Sequence, residues 1–529
     1  NQYSALDLSG KAVEAPWMRA WPGHALWHCV NNPAAREGYL NYVKDQVDQG
    51  VKDLQRDDPT MNYHATRWGA CFCKHCMDGF RAYLAEYAPV DVLRRYEIED
   101  PSAFDYAEYL RGRNAPVGDD FAKYPEDDLK RLFIAFQEQS TIEFHRWWRR
   151  ELNDYAGRHV SVSSNNGAHD FGPIHSLFDC YIGELSYSRA QPETLHDIAR
   201  QVERLGKGQT VTMPLRRDAE ETREWIDTTR RTIATVYALG MHIEAPWDTY
   251  LPVRDAARPP RYFGKPEDYS DLFAMVRARA TLLDGYEAAA ANGGLIDEDR
   301  WTAETTPVTV WSASTRVVAF TRALPGKADA PIVVHLVDWS KSPQPFTVSL
   351  NPDARFAGRP LDISLVTPKP YDRQRHVAAF ETGEYASLVE ETSLAAGHVT
   401  TCQVPPLRPW GLLVLRPLAG REGIWPPRFA AVDHQGAPAV RLLSPEPGAT
   451  LRFTTDGSDP GADSPVYGEP IPMESCREIR ARSYQGGRAS PASVLGHLPA
   501  VGQGAKSLLA NGDFSQGTDN WRRVVSRPA

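Results

Sequence analysis

Over residues 1–290, short apolar runs that end in polar residues alternate with long amphipathic stretches. No other feature of the sequence restricts the fold as strongly. The runs VKDLQRDD (51–58), HVSVSSNN (159–166), FDCYIGEL (178–185), TVTMPL (210–215) and MHIEAPW (241–247) have strand character. Helical periodicity fills the intervals at Ala34–Gln49, Leu129–Tyr155, Thr194–Leu205 and Ala219–Leu239. Strand and helix in alternation make βα units and a parallel sheet. Polar residues collect at the C-terminal ends of the strands, where a (β/α)8 barrel of the TIM type places its active site. An α/β barrel is therefore expected over residues 1–300.

From about Thr305 the texture changes to short alternating strands split by Pro and Gly, among them RVVAFTRAL, APIVVHLVDWS and PFTVSL. They predict a β-sandwich over 301–420. A second all-β module is expected over 421–499, where ATLRFTTDGSDPGADSPVY has a DG turn between strand-like flanks. Residues 500–529 read as a linker and the opening of a further module. A chain of 529 residues has room for this many domains. Its net charge of -9 gives no basic surface for nucleic acid, and no apolar run reaches membrane-spanning length. It starts at Asn1 without a signal peptide, so a removed leader or a fragment of a longer protein is expected.

Only seven cysteines occur, yet three fall within CFCKHC at Cys71, Cys73 and Cys76. Zinc takes four soft ligands in a tetrahedron, and thiolates supply them. Cys29, in WHCVNN after the preceding strand end, is the expected fourth ligand; His75 is its rival. Free or disulfide-bonded cysteines are the plainer alternative. Four protein ligands leave no open position, so such a zinc is structural. Cys180, Cys402 and Cys476 read as ordinary buried residues.

A strand ending in acids, then a C-x-C-x2-C loop, then GFRAYLAEY resembles the glycoside hydrolase family 42 β-galactosidases. NNPAAREGYLNYVKDQV is similar to that family's third helix. SSNNG, FDCYIGEL and TVYALGMHIEAPWDTY are similar to its fifth, sixth and eighth strand regions. The resemblance covers residues 25–290 and implies a zinc beside the active site of a glycosidase. The chain departs from the family where the fourth strand should end in Asn-Glu: it reads Asp57-Asp58-Pro59. It departs again at the seventh strand, where Met213 and Pro214 replace the nucleophilic Glu. In this register the chain begins just before the third strand and holds six βα units, so the first two are expected to be missing or the barrel to be completed unusually.

Glycosidic cleavage needs two carboxyl groups flanking the bond. Asp57 and Asp58 are consecutive on a strand and so should point to opposite faces. Asp58 is the candidate acid/base, with a turn or capping role as its alternative, and Arg56–Asp57 as a structural pair. Glu184, ending the sixth strand after a glycine, is the candidate second carboxylate; an ion pair with Arg189 or Arg216 is the alternative. Asp57 and Asp248 stand in reserve as catalytic residues. Trp247 is a candidate stacking platform for a sugar ring, or a core Trp. Glu244, His64, Asn165, His242 and Arg19 are candidate substrate-binding residues, and RYFG (261–264) a candidate rim.

The 421–498 region resembles the chitobiase/β-hexosaminidase C-terminal domain through FTTDGSDP, SPVY and EIRARSY. LLANGDFSQGTDNW (508–521) is similar to the opening of a jelly-roll carbohydrate-binding module. The sequence thus predicts a glycoside hydrolase of oligo- or polysaccharides, secreted or periplasmic in a bacterium, with neither nucleic acid nor membrane as partner. A non-catalytic sugar-binding protein on a degenerate barrel is the second reading. A lyase or deacetylase on the same scaffold is a remote third.

Overall fold

The computed structural model describes residues 3–16, 19, 25–214, 220–247, 249–251, 261–292, 307–312, 316–351, 358–420 and 423–496. Asp248 and the module opening at 508–521 lie outside them. Two compact units are present, one from residues 1–185 and 200–212, the other from 186–199 and 213 onward. The stretch expected to form one barrel domain is thus divided between two units.

The first unit holds a parallel sheet of β1 (Asp53–Arg56), β2 (Ser161–Asn165), β3 (Cys180–Glu184) and β4 (Gly208–Thr212), paired in that order. Parallel βα organisation is therefore present, as the alternation predicts. Among the described residues of this unit these four strands pair in parallel, and a closed eight-stranded barrel is not shown.

Helix α1 (Pro33–Asp48) starts where Asn32 accepts a hydrogen bond from the Ala34 amide, with Pro33 in its first turn. Short helices α2 (Met61–Ala65), α4 (Val90–Arg95) and α5 (Tyr106–Gly112) flank α3 (Lys74–Tyr87). The spine is α6 (Asp128–Ala156), capped by Asp127 at its start and ended by Gly157 in the left-handed region. Its N-terminal half sends Leu129, Phe133 and Phe136 into an aromatic cluster with Phe72, Phe80 and Tyr106. Its C-terminal half sends Phe144, Trp148 and Leu152 against Leu40, Val43 and Val162 of α1 and β2. One apolar stripe at helical spacing therefore serves two cores.

His145, on the same helix, is fully buried against Phe144, Trp148 and Phe178 of the second core. Its Nδ1 accepts from Trp148 Nε1 at 2.9 Å, and its Nε2 lies 2.6 Å from the Pro59 carbonyl. Burial, aided by the Arg56 charge, pushes its pKa down to about 3. The folded chain therefore keeps it neutral while the unfolded chain protonates it near 6.5. Its contribution is complete above about pH 6.5 and is lost as pH falls toward 3, at about 1.4 kcal/mol per pH unit. Urea unfolding at pH 7 and pH 5 is expected to show that slope, and His145→Gln to flatten it.

The second unit contains α8 (Arg223–Ala238), α9 (Pro266–Ala278) and strands β5 (His242–Glu244), β6 (Thr249–Leu251) and β7 (Arg261–Phe263). Its sandwich is built from β8 (Glu287–Asn292), β9 (Val308–Ser312), β10 (Val317–Ala323), β11 (Ile332–Asp338), β12 (Phe346–Leu350), β13 (Leu361–Pro368), β14 (Val389–Gly397), β15 (Thr401–Val404) and β16 (Trp410–Pro417). Six strands in the order β14-β13-β16-β11-β10-β8 face three in the order β15-β12-β9 across a shared apolar core. The sandwich thus starts at β8, ahead of residue 301. Strands β10 and β11 are buried at every position. Their outer face is covered by α8, whose Thr235 Oγ1 accepts from Trp339 Nε1 at 3.0 Å, while Arg279, at the end of α9, donates to Glu391 of the edge strand β14 at 3.0 Å. A sheet covered on both sides needs continuous apolar runs, hence IVVHLVD.

The C-terminal module opens with the hairpin of β17 (Arg428–His434) and β18 (Ala437–Leu443). Its two-residue turn has positive φ at Gln435 and Gly436, the conformation that matches strand twist. At the anticipated DG turn, Asp456 Oδ1 accepts from the Ser458 amide at 2.9 Å, and Gly457 has φ +85°. Among the described residues no helix is long and apolar enough to cross a membrane.

Candidate active site

A cavity of about 990 Å³ lies at the C-terminal ends of β1, β2 and β3 in the first unit. It brings together Asp57, Asp58, His64, Asn165 and Glu184, five of the anticipated residues. Strand β1 ends at Arg56, and Asp58 has φ +39°. That left-handed turn breaks the strand alternation, so Asp57 and Asp58 line one pocket instead of pointing to opposite faces. Arg56 is not paired with Asp57; its guanidinium meets Met61 Sδ and the Tyr39 ring.

Asp58 is tightly held. His64 Nδ1 lies 3.1 Å from Oδ2, the Thr60 amide donates to Oδ1 at 3.3 Å, and the Thr60 hydroxyl donates to the same oxygen. Burial pushes the Asp58 carboxyl up, but the bonds from His64 and Thr60 outweigh it and leave its pKa below the ordinary value. Asp58 is therefore a carboxylate at neutral pH. Asp57 Oδ1 accepts from Asn165 Nδ2 and from the Asp58 amide, each at 3.0 Å. Glu184 is exposed at the tip of β3 and has no ion pair among the described residues.

The wall beside Glu184 is set by Gly183. A Cβ there would lie 2.0 Å from the Ala168 amide nitrogen and 2.5 Å from Asn166 Oδ1. Asn166 and Gln209 exchange two side-chain hydrogen bonds beneath that turn, at 3.0 and 3.2 Å. Gly183→Ala is expected to cost about 1–3 kcal/mol by overpacking, read as a lower melting temperature together with weakened ligand binding.

The pocket also contains residues to which the sequence gives no site role. His175 Nε2 lies 3.5 Å from Asp170 Oδ2, and its Nδ1 lies 3.2 Å from the buried Ser164 hydroxyl. The bond to His175 draws the Asp170 carboxyl down to about 2. Trp27, Tyr63 and Tyr39 supply aromatic surface, and Arg36, Arg56 and Arg67 supply positive charge. Asp170 and His175 lie a few residues past SSNN (163–166), in a loop after a strand end, so their position in the sequence was the available signal.

The cysteines meet beside this pocket, which Cys29 also lines. Cys29 Sγ is 3.6 Å from Cys73 Sγ and 3.4 Å from Cys76 Sγ. A disulfide needs about 2.0 Å, whereas tetrahedral zinc with bonds near 2.3 Å spaces its sulfurs about 3.8 Å apart. All three thiols fall within 4.8 Å of one another and are buried. Cys71 is outside that group, although its thiol interacts with Cys76 and points to the Asn62 carbonyl at 3.8 Å. Asn31 and Asn62 aim amide N–H groups at Cys76 Sγ, at 3.5 and 3.7 Å. The Cys29 and Cys76 thiols and the amides of Cys76 and His75 hold Cys73 well below its ordinary pKa. The donor set fits a thiophilic metal, and those placed to hold one are Cys29, Cys73 and Cys76.

Arg19 lies outside the pocket, forked on Asp119, with one arm at 2.9 Å. His242, Glu244 and Trp247 belong to the second unit and are exposed there. Trp247 packs edge-on against Phe273 at 5.6 Å. Gly264, ending the RYFG stretch, has φ +63° and packs against the Pro246 carbonyl.

In the C-terminal module Phe429, Val440, Leu442, Ile471, Ile479 and Leu495 form one core. Residues 433–494 match the chitobiase/β-hexosaminidase C-terminal domain. No curated protein matches the chain at a significant level. The chitobiase-type domain points to a glycosidase-type, carbohydrate-processing protein, and its match covers that module alone.

Proposed function

We propose that the pocket of the first unit is the active site of a glycoside hydrolase that cleaves O-glycosidic bonds of an oligo- or polysaccharide. One observation carries this reading: acids from separate strand ends converge on a single cavity large enough for sugar rings, in a chain that also has a chitobiase-type domain. Ionised Asp58 is suited to act as base or nucleophile, and Glu184 as proton donor to the leaving oxygen. Asp57, aligned by Asn165, supports charge at the reacting carbon. Trp27 and Tyr63 offer faces for stacking, the role that the sequence suggests for Trp247.

The thiols of Cys29, Cys71, Cys73 and Cys76 are proposed to hold a structural zinc. Bound there, zinc supplies cross-linking and no reaction chemistry. Asn62 connects this cluster to α2, which presents His64 to Asp58. A polysaccharide substrate also favours an exported protein.

The test is release of reducing ends across a panel of polysaccharides. Turnover of at least one is the expected result. One feature favours a non-catalytic glycan binder: the most enclosed acid, Asp58, is saturated with hydrogen bonds and ionised. Calorimetric binding without product after long incubation would establish that second reading instead.

A further inference from the structure

Three guanidinium groups line the pocket, from Arg36, Arg56 and Arg67. Among the described residues none of them is ion-paired with a carboxylate. Three of the four acids of the same cavity are engaged elsewhere, Asp58 by His64, Asp170 by His175 and Asp57 by Asn165, while Glu184 at the tip of β3 pairs with none of the three guanidinium groups among the described residues. Arg56 stands 5.0 Å from the Tyr39 ring centroid and meets Met61 Sδ, while its Nε is buried without a partner among the described residues. Arg36 donates to the Val30 carbonyl and stands 6.0 Å from the Phe144 and Trp147 rings. Glu143 acts on it only through space.

A ring face and a thioether compensate poorly for the hydration a guanidinium loses on burial. The charge is also felt nearby. After burial, Arg56 is the next cause lowering the pKa of His145. Such a wall lacks an anion, and the planar fork of Arg suits a carboxylate or a sulfate with two parallel hydrogen bonds.

We propose that Arg56, with Arg36 and Arg67, forms an anion subsite, and that the glycan taken by this pocket carries negative charge on its sugar, as a uronate carboxylate or a sulfate ester. The inference rests on reading the pocket as a carbohydrate site. It assigns the acids to the bond being cleaved and the guanidinium groups to recognition.

The test is calorimetric titration of the full chain with three oligosaccharides of one length: neutral, uronate-bearing and sulfated. At least one charged ligand is expected to bind about tenfold tighter or more than the neutral one. The advantage should shrink as salt rises. Whichever charged ligand shows it identifies the anion. Arg56→Gln is expected to remove the advantage and Arg67→Gln, at an exposed position, to reduce it. Arg67→Gln carries the test if Arg56→Gln fails to fold by circular dichroism. Equal or tighter binding of the neutral ligand overturns the anion subsite and leaves the carbohydrate reading standing. A preference for charge that survives in both variants also overturns it. Failure of all three ligands to bind overturns both.

Discussion

Glu184→Gln is expected to lower turnover by about 10³-fold, since a positioned acid or base contributes 10²–10⁴. Folding should be little affected. Glu184 sits exposed at the tip of β3 and has no ion pair to lose among the described residues. The amide keeps its shape but cannot deliver a proton to a leaving oxygen. Asp58→Asn should lose turnover to a similar degree, because an amide provides neither a nucleophile nor a base. It also removes the charge that faces His64 at 3.1 Å. The pH profile gives a separate check. The Asp58 carboxyl lies below its ordinary value, so its ionised form persists above about pH 4 and is lost only as pH falls further. The acid limb that it sets is expected below about pH 4 and should be absent from residual Asp58→Asn activity. Wild-type turnover in both variants would move the chemistry to other residues.

Cys76→Ser is the second large effect expected. Cys76 is fully buried, touches Cys29 at 3.4 Å and receives N–H groups from Asn31 and Asn62. Those amides also donate to Gln137 on α6, at 3.2 and 2.9 Å. Removing one sulfur therefore disturbs the proposed zinc set and the polar tie between the cysteine loop, α2 and the spine helix. Losing a structural metal is among the few single changes that cost more than about 4 kcal/mol, roughly 10 °C or more in melting temperature for a unit of this size. Elemental analysis should find one zinc per wild-type chain and little in the variant. Wild-type melting of Cys76→Ser, in protein that carries no zinc, would remove the metal from this account. Arg67 and Glu184 provide a control, since substitutions at these exposed positions should not shift melting comparably.

Much of the site was legible because strand ends are legible. Asn165 and Glu184 each follow an apolar run and end a parallel strand, and a parallel sheet brings such ends to one edge. The cysteine spacing also declared itself, since three thiols in six residues sit within reach of one another however the loop folds. Other parts were not readable. That Asp57 and Asp58 share a pocket depends on a single positive φ, which no periodicity encodes. Asp170 and His175 lie in a loop whose course is set by Gly183 and the Asn166–Gln209 pair, contacts between segments distant in sequence. Arg19, a candidate substrate-binding residue by sequence, lies outside the pocket and pairs with Asp119, one hundred residues away.

Local rules thus determined the alternation of strand and helix, the β texture after 305, the turns at Asp456 and Gly457, and the clustering of thiols. These follow from side-chain period, backbone preference and covalent nearness. Tertiary structure alone decided that residues 1–300 divide between two units, that the sandwich strands β10 and β11 are buried on both faces, and which charges remain unpaired in the pocket. Those outcomes depend on which surfaces meet after the chain has folded back on itself, and a linear pattern has no term for such a meeting.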